Sequence, residues 1–216
     1  MKYKLAIFDM DGTILSTLDD LANAVDFALK AHNLPARSKN QTRKALGRGV
    51  RFLIEQSVPD ELTEEKISAV ERSFLEYYRE HNMDNTKPYD GIVDVIKKIR
   101  SKGIKTAVIS NKIDDAVRLL CDNFFAGVFD KAVGERPGVP VKPHPEAVNT
   151  IIECMGASKN ETVYIGDSEV DLLTAKNAEI DHIIVTWGFR DRDFLSESGA
   201  EVFAENMAEL EAQICI

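Results

Sequence analysis

Short apolar runs alternate with amphipathic segments along most of the chain. Four of these runs are bounded by polar residues or glycine and predict buried strands, which cover residues 5–8, 106–109, 162–165 and 183–185. Helical periodicity fills the segments between them, as in the stretch from Ile92 to Ile99, where apolar residues share one face. Strands that alternate with helices predict an α/β fold, with a parallel sheet and helices on both faces.

One long helical segment interrupts this alternation. Residues 16–86 contain apolar stripes at helical spacing, such as the one from Leu18 to Leu29, and no convincing strand. The sequence therefore predicts a core domain, formed by residues 1–15 and 87–216, and a helical domain inserted at 16–86. Because ligands bind at the carboxyl ends of such strands, an insert after the first strand is expected to act as a lid. The alternative is a helical bundle without a role in chemistry.

The composition limits the classes of partner. Lys and Arg total 27 against 36 for Asp and Glu, and this net charge of -9 is the opposite of what a nucleic-acid binder usually carries. No apolar stretch reaches the length of a membrane span, and the start of the chain does not resemble a signal peptide. The three cysteines are widely spaced and match no zinc pattern. We expect a cytoplasmic protein that binds neither nucleic acid nor membrane, as a monomer or weak homodimer.

Four motifs fall at or near predicted strand ends. The first comes directly after the first strand, where residues 9–13 read Asp-Met-Asp-Gly-Thr. Two carboxylates at this spacing can face one site, so that one attacks phosphorus while the other handles a proton. Gly12 allows the tight turn that this arrangement requires. An acidic turn that caps a helix would explain one aspartate, but not two directly behind a buried strand.

The second and third motifs are Ser-Asn-Lys at 110–112 and Lys-Pro-His-Pro at 142–145. A hydroxyl and backbone N–H groups at a strand end can hold phosphoryl oxygens, although a helix N-cap explains the same residues. Lys142 precedes a proline that restricts its backbone, and its charge can neutralise both a phosphate and an attacking carboxylate. In isolation each motif would be assigned a structural role.

The fourth motif follows the third predicted strand, where residues 166–171 read Gly-Asp-Ser-Glu-Val-Asp. Asp167 is expected to project from the strand end, and Asp171 can reach the same region from the first helical turn. The alternative is that these acidic residues only complement the dipole of the following helix, which explains Glu169 better than Asp167. Mg²⁺ prefers a few carboxylates and keeps waters and substrate oxygens, so this motif predicts a magnesium site. Mg²⁺ and Lys142 would supply the positive charge that an anionic nucleophile needs against phosphate.

In this order, the four motifs resemble those of the haloacid dehalogenase-like hydrolase superfamily, and within it the phosphoglycolate phosphatase-like group. The resemblance implies a Rossmann-like catalytic core, with the helical insert at 16–86 as a cap domain. It also implies that Asp9 forms a phosphoaspartyl intermediate, and that Asp11 protonates the leaving group and later activates water. It implies that Mg²⁺ is held by Asp9, the backbone carbonyl of Asp11 and Asp167, with Asp171 in support. The expected phosphate-binding residues are Thr13, Ser110, Asn111 and Lys142.

The chain departs from this group at one position that concerns the substrate. Val141 precedes Lys142, whereas related phosphatases often carry a second lysine, and this weakens an assignment to phosphoglycolate itself. The glycine-rich turn at 46–49 resembles the cap loop of the group. Arg48 or Arg51 is therefore a candidate for binding a substrate carboxylate, although surface arginines commonly only cover a helix face.

The sequence thus predicts a Mg²⁺-dependent phosphatase that acts on small phosphate monoesters, with a small phosphorylated metabolite as its partner. A β-phosphoglucomutase-like phosphotransferase and a pyrophosphatase are the alternatives among enzymes. A phosphonatase is less favoured, because no lysine of the insert is marked as activated. A regulatory phosphate-binding domain is the alternative outside enzymes, since a fold alone never proves activity. The charged positions that hydrolysis needs are all filled, which favours the enzyme.

Overall fold

The computed structural model of the chain describes residues 1–216. Its eight strands are β1 (Leu5–Phe8), β2 (Leu15–Ser16), β3 (Lys87–Pro88), β4 (Lys105–Ile113), β5 (Lys131–Glu135), β6 (Thr162–Gly166), β7 (Asp181–Val185) and β8 (Phe203–Ala204). Its ten α-helices are α1 (Leu18–Ala31), α2 (Lys39–Ala45), α3 (Val50–Glu55), α4 (Glu64–His81), α5 (Ile92–Ser101), α6 (Asp114–Phe124), α7 (Glu146–Met155), α8 (Glu169–Ala178), α9 (Arg192–Glu197) and α10 (Met207–Ile214). None of the helices combines the length and the apolar character needed to cross a membrane.

Six of the strands form one parallel sheet in the order β5-β4-β1-β6-β7-β8, which confirms the predicted fold class. The four predicted strands correspond to β1, β4, β6 and β7, although β4 continues to Ile113. The strands β5 and β8 escaped prediction because they lie at the two edges of the sheet. Neither is buried along its whole length, so neither carries a continuous apolar run.

The central strand β1 supplies side chains to both faces of the sheet. Ala6 and Phe8 belong to a cluster of 24 buried residues on one face, together with residues of α5 and α10. Leu5 and Ile7 belong to a cluster of 12 buried residues on the other face, together with residues of α7 and α8. A strand buried on both faces carries apolar residues at successive positions, which is why this one was readily predicted.

The helices α1 to α4, residues 18–81, are called the helical insert below. They lie between β2 and β3 and share a separate cluster of 14 buried residues, all of which belong to the insert except Phe189 of the core. The strands β2 and β3 pair antiparallel, so the two connections to the insert run side by side. The buried carboxylate of Asp20 in α1 accepts backbone N–H bonds from Asn85 at 3.0 Å and from Thr86 at 2.8 Å. These bonds fix the start of the insert to the connection that leaves it.

Candidate active site

Three buried carboxylates meet at the carboxyl edge of the sheet. Asp9 directly follows β1, Asp167 directly follows the neighbouring strand β6, and Asp171 lies in the first turn of α8. Each offers an oxygen atom, and these atoms all lie within 4.8 Å of one another. The hydroxyl of Ser168 donates to Asp171 Oδ2 at 2.6 Å and fixes that carboxylate at the helix start. Two adjacent parallel strands thus bring the motifs at 9–13 and 166–171 to one place.

Two glycines leave the space that Asp167 occupies. The backbone of Gly12 has φ +90°, and a Cβ atom there would lie 2.4 Å from Asp167 Oδ2. A Cβ atom on Gly188 would lie 2.3 Å from Asp167 Cβ. The hydroxyl of Thr13 donates to Asp167 Oδ1 at 3.2 Å, and Phe189 N donates to Oδ2 at 2.7 Å. The Asp167 side chain is therefore held in one position from several sides.

Lys142 brings the only ammonium group that contacts two of these carboxylates. Its Nζ lies 2.6 Å from Asp9 Oδ1 and 2.8 Å from Asp171 Oδ1, and the side chain is 4% exposed. The loop that carries it is fixed by Asn111, whose Oδ1 accepts from Lys142 N at 2.8 Å. Asn111 Nδ2 also donates to the carbonyl of Lys142 at 2.9 Å. The amide of Asn111 is thereby used to position Lys142.

Burial sets the charge state of this cluster. It raises the pKa of Asp9 well above its usual value, and Lys142 opposes that rise while Asp171 and Asp167 add to it. Burial, followed by the charge of Asp171, raises the pKa of Asp167 to about 7, although the N–H of Phe189 acts in the opposite direction. Burial would lower the pKa of Lys142, but the charges of Asp171 and Asp9 outweigh it. Three carboxylates against one lysine leave negative charge uncompensated.

The residues of this cluster fit a Mg²⁺ ion. All three donors are carboxylate oxygens, and hard cations such as Mg²⁺ prefer oxygen ligands. A divalent cation would neutralise the negative charge that Lys142 leaves uncompensated, and it would remove the repulsion between Asp9 and Asp167. The donor set contains no cysteine or histidine, which distinguishes it from a typical zinc site.

Asp11 lies beside this cluster and has a different partner. Its Oδ2 accepts from Lys112 Nζ at 2.9 Å, whereas its buried Oδ1 has no hydrogen-bond partner. Ser110 Oγ accepts from the N–H of Lys112 at 3.2 Å. The sequence analysis gave Lys112 no role, because a lysine at a strand end carries no signal of its own. Its burial depends on contacts with the distant insert.

A cavity separates the carboxyl edge of the sheet from the helical insert. The sheet side contributes Asp9, Asp11, Ser110, Asn111, Lys112, Lys142 and Asp167. The insert contributes mainly apolar side chains, among them Leu21, Leu46, Val50, Leu53 and Tyr78. Of the predicted phosphate-binding residues, Ser110, Asn111 and Lys142 line this cavity, whereas Thr13 is fully buried behind it.

The two arginines suggested for a substrate carboxylate lie elsewhere. Arg51 is on the outer side of the insert, where its guanidinium contacts Glu55 and Glu64 at 2.6 Å each. Arg48 lies against the ring of Phe52, is half exposed, and pairs with Glu169 Oε1 at 3.8 Å. Neither lines the cavity. Arg51 is thus bound to glutamates of the insert, whereas Arg48 lies next to the cavity without lining it.

Arg190 is an arginine of the cavity wall that the sequence analysis missed. It follows β7 and pairs through Nε with Glu169 Oε2 at 2.8 Å. It also donates to two carbonyls of the insert, from Nη2 to Leu46 O at 2.7 Å and from Nη1 to Arg43 O at 3.1 Å. No motif marks this residue, although it directly follows the Trp-Gly-Phe stretch at 187–189.

Comparison with known proteins identifies the family. The model of the haloacid dehalogenase-like hydrolase family matches residues 6–185. The chain belongs to this family. A phosphoglycolate phosphatase of Aquifex aeolicus is 30% identical over 191 residues, which are 86% of this chain and 86% of that protein. The predicted membership of the superfamily and of its phosphoglycolate phosphatase-like group is thereby confirmed.

Solved structures of similar proteins agree with this assignment. A Lactobacillus delbrueckii protein, assigned provisionally as a phosphoglycolate phosphatase, has a TM-score of 0.93 and 36% identity, covering 99% of both chains. A predicted phosphoglycolate phosphatase of Haemophilus somnus has a TM-score of 0.92 and 26% identity, covering 100% of this chain and 99% of its own. The prediction that this member of the family is a hydrolase of phosphoric monoesters is confirmed.

Proposed function

We propose that the protein is a Mg²⁺-dependent phosphatase that hydrolyses small phosphate monoesters of the phosphoglycolate type. The reaction passes through a phosphoaspartyl intermediate on Asp9. The observation that carries this proposal is the position of Asp9, whose Oδ1 lies 2.6 Å from Lys142 Nζ in a cluster with Asp167 and Asp171. A carboxylate can attack an anionic phosphate only where positive charge offsets the repulsion, and this site concentrates the groups that supply or hold such charge.

In the first half of the reaction, a carboxylate oxygen of Asp9 attacks phosphorus and the ester P–O bond breaks. Asp11 gives its proton to the departing oxygen, so that a neutral alcohol leaves. In the second half, Asp11 takes a proton from water, and the hydroxide attacks the phosphoaspartate. Inorganic phosphate leaves and Asp9 is regenerated. The unpartnered Oδ1 of Asp11 is available for both proton transfers.

The remaining residues orient the phosphoryl group and neutralise negative charge at the site. Lys142 neutralises the phosphoryl oxygens and Asp9 together, while Ser110 binds the phosphoryl group from the sheet side of the cavity. Asn111 acts in this account through Lys142, because its side-chain amide is bonded to the backbone of that lysine. Asp9, Asp167 and the backbone carbonyl of Asp11 would hold Mg²⁺, with Asp171 in support. When bound, the ion supplies positive charge to the phosphoryl oxygens.

The helical insert is proposed to act as the cap domain, residues 16–86, over a core formed by 1–15 and 87–216. It lies across the carboxyl edge of the sheet, and its apolar side chains form one wall of the cavity. Such a wall excludes water and leaves little room beyond the phosphoryl group. Small substrates fit this arrangement, and the relatives named phosphoglycolate phosphatases support a small acid as the leaving group.

Phosphate release from a panel of esters tests this function. The panel contains phosphoglycolate, sugar phosphates, nucleotides and pyrophosphate, each with Mg²⁺ and with chelator, for the parent and for Asp9→Asn. We expect metal-dependent release from a small ester by the parent and none by the variant. Equal absence of release in both proteins across the whole panel at saturating Mg²⁺ would contradict a phosphatase function. Release from pyrophosphate alone would assign the site to pyrophosphate instead.

A further inference from the structure

Lys112 places an ammonium group inside the cavity, next to Asp11. Its side chain is 5% exposed, and its Nζ lies 2.9 Å from Asp11 Oδ2. The same Nζ lies 4.8 Å from the centroid of the Tyr78 ring, which belongs to α4 of the insert. Burial would lower the pKa of Lys112, but the charge of Asp11 outweighs it, so the pKa lies above its usual value. Its ammonium group thus lies between the core and the insert, in contact with Asp11 and with the ring of Tyr78.

Lys112 has more free donors than the other lysine of the cavity, Lys142. Lys142 contacts two carboxylates, and Arg190 is occupied by Glu169 and by two carbonyls of the insert. A lysine ammonium has three N–H donors, and Lys112 uses one of them on Asp11. The remaining donors of Lys112 are available to a ligand in the cavity.

The hydroxyl of Tyr78 is a second unused polar group at this place. The side chain is 6% exposed and lines the cavity, and its hydroxyl has no hydrogen-bond partner. A buried hydroxyl without a partner is unfavourable, and a ligand atom that accepts its proton removes that cost. The other side chains that the insert presents here, such as Leu21 and Leu53, are apolar. Polar recognition of a ligand by the insert is thus concentrated at Tyr78.

We propose that Lys112 and Tyr78 form a subsite that binds a carboxylate on the leaving group of the substrate. The argument rests on the proposed function, in which Asp11 protonates the departing ester oxygen. The atoms bonded to that oxygen must then lie beside Asp11, and so beside the ammonium of Lys112. A carboxylate one carbon away from the ester oxygen can accept from Lys112 and from the Tyr78 hydroxyl. These residues take the role that the sequence analysis suggested for Arg48 or Arg51.

Such a subsite discriminates by charge. A substrate carboxylate can accept from the free donors of Lys112 and partly neutralise its charge. An ester with an uncharged leaving group of similar size leaves the free donors of the ammonium and the hydroxyl of the phenol without acceptors, which disfavours that complex. The specificity of the enzyme for acids thus follows from one lysine on β4 and one tyrosine on α4.

A pair of esters that differ only in this group tests the subsite. Phosphoglycolate and ethyl phosphate carry a carboxylate and a methyl group at the same position. We expect the parent to prefer phosphoglycolate in kcat/KM, and Lys112→Met to reduce that preference by about 100-fold. Methionine keeps an unbranched side chain of similar length, so the packing of the stem is preserved. Tyr78→Phe removes only the hydroxyl and should reduce the preference by about 10-fold.

A control variant and a binding measurement complete the test. Lys105 lies on the same strand but donates to Met155 O, away from the cavity, so Lys105→Met should keep the parental preference. The inhibition constants of 3-phosphonopropionate and propylphosphonate report the same discrimination without turnover of the ligand. We expect the parent to bind the carboxylate compound more tightly, and Lys112→Met to bind both alike.

The outcomes separate this inference from the proposed function. Equal loss of activity on both esters in Lys112→Met, with an unchanged ratio, would overturn the subsite, because the lysine would then act only through Asp11. A parent enzyme that hydrolyses both esters equally well would overturn it too. Failure of the parent to hydrolyse any phosphate ester would instead contradict the phosphatase function on which the inference rests.

Discussion

The side-chain amide of Asn111 bonds to both backbone groups of Lys142. Its Oδ1 accepts from the N–H at 2.8 Å and its Nδ2 donates to the carbonyl at 2.9 Å, although the residues are 31 positions apart. The same Nδ2 lies 3.0 Å from the carbonyl of Gly47 in the turn before α3 of the insert. One asparagine at the end of β4 therefore connects the loop of Lys142 with the turn that covers the site.

Removal of the Lys142 charge is expected to affect both activity and stability. In Lys142→Met, Asp9 and Asp171 lose their buried counter-ion, which should reduce kcat about 1000-fold. Without metal, the unpaired buried carboxylates should also lower the free energy of unfolding by about 3 kcal/mol. Steady-state kinetics and chemical denaturation measure the two effects. The control is Lys159→Met, which removes an exposed pair with Glu179 and should change neither. A near-parental rate in Lys142→Met would contradict its role.

The acid cluster is expected to make the metal-free protein less stable as the pH rises. Burial raises the folded-state pKa of Asp167 to about 7, so between about pH 4 and about pH 7 the folded state binds more protons than the unfolded state. The free energy of unfolding should therefore fall across this window, by up to about 4 kcal/mol for this residue. The contribution of Asp167 to stability is fully present below its pKa in the unfolded state. It is lost as the pH rises through its pKa in the folded state.

Denaturation in chelator at a series of pH values, for the parent and for Asp167→Asn, checks this pH dependence. The difference between the two proteins isolates the residue, because the amide does not titrate. Saturating Mg²⁺ should make the parent more stable at pH 7, since the ion binds only the folded state. Identical pH profiles for the parent and the variant would show that this carboxylate does not titrate as described.

The contacts of Arg190 with the insert are expected to influence substrate binding. Arg190→Met removes its donors to Arg43 O and Leu46 O, and a less firmly held insert should lower kcat/KM about 10-fold. The matched control is Arg192→Met, which removes an exposed pair with Glu205 and a contact with the Phe203 ring, both within the core. Steady-state kinetics with the best ester of the panel measures the effect. Equal kinetics for the two variants would mean that the Arg190 contacts do not matter for turnover.

A methyl group at position 188 is expected to weaken metal binding. In Gly188→Ala, the new Cβ would lie 2.3 Å from Asp167 Cβ, so the carboxylate must move. Titration of activity with Mg²⁺ should show a half-saturating concentration raised about 10-fold or more. Gly156→Ala is the control for lost stability, because its left-handed φ of +61° strains alanine while nothing lies within 4 Å of the new atom. A parental Mg²⁺ requirement in Gly188→Ala would contradict the close packing around Asp167.

The sequence was sufficient to predict those strands and site residues whose positions are determined by a local pattern. Strands buried on both faces, such as β1 and β6, carry uninterrupted apolar runs, and the aspartates behind them follow from the geometry of a parallel sheet. Edge strands lack that signal. In β5, which pairs with a neighbour along one edge only, the two end residues are exposed and the three central ones are only partly buried. For that reason the core of the sheet could be predicted and its edges could not.

The contacts between insert and core could not be predicted from the sequence. Lys112 and Tyr78 are 34 positions apart and meet only because α4 lies across the end of β4. Arg51 carries the charge expected of a specificity residue, yet three glutamates of the insert surround it. Local patterns specify which residue types are present. The packing of the insert on the sheet decides which of them reach the cavity.

Detection of the phosphorylated residue tests the central claim most directly. The variant Asp11→Asn should still be phosphorylated by p-nitrophenyl phosphate, whose leaving group needs no proton, but should hydrolyse the intermediate slowly. Acid quench followed by borohydride reduction converts a phosphoaspartate to homoserine, which peptide mass spectrometry locates. We predict homoserine at position 9 in Asp11→Asn and none at that position in Asp9→Asn. Release of p-nitrophenol without homoserine, or with homoserine at another residue, would contradict the assignment of Asp9 as the nucleophile.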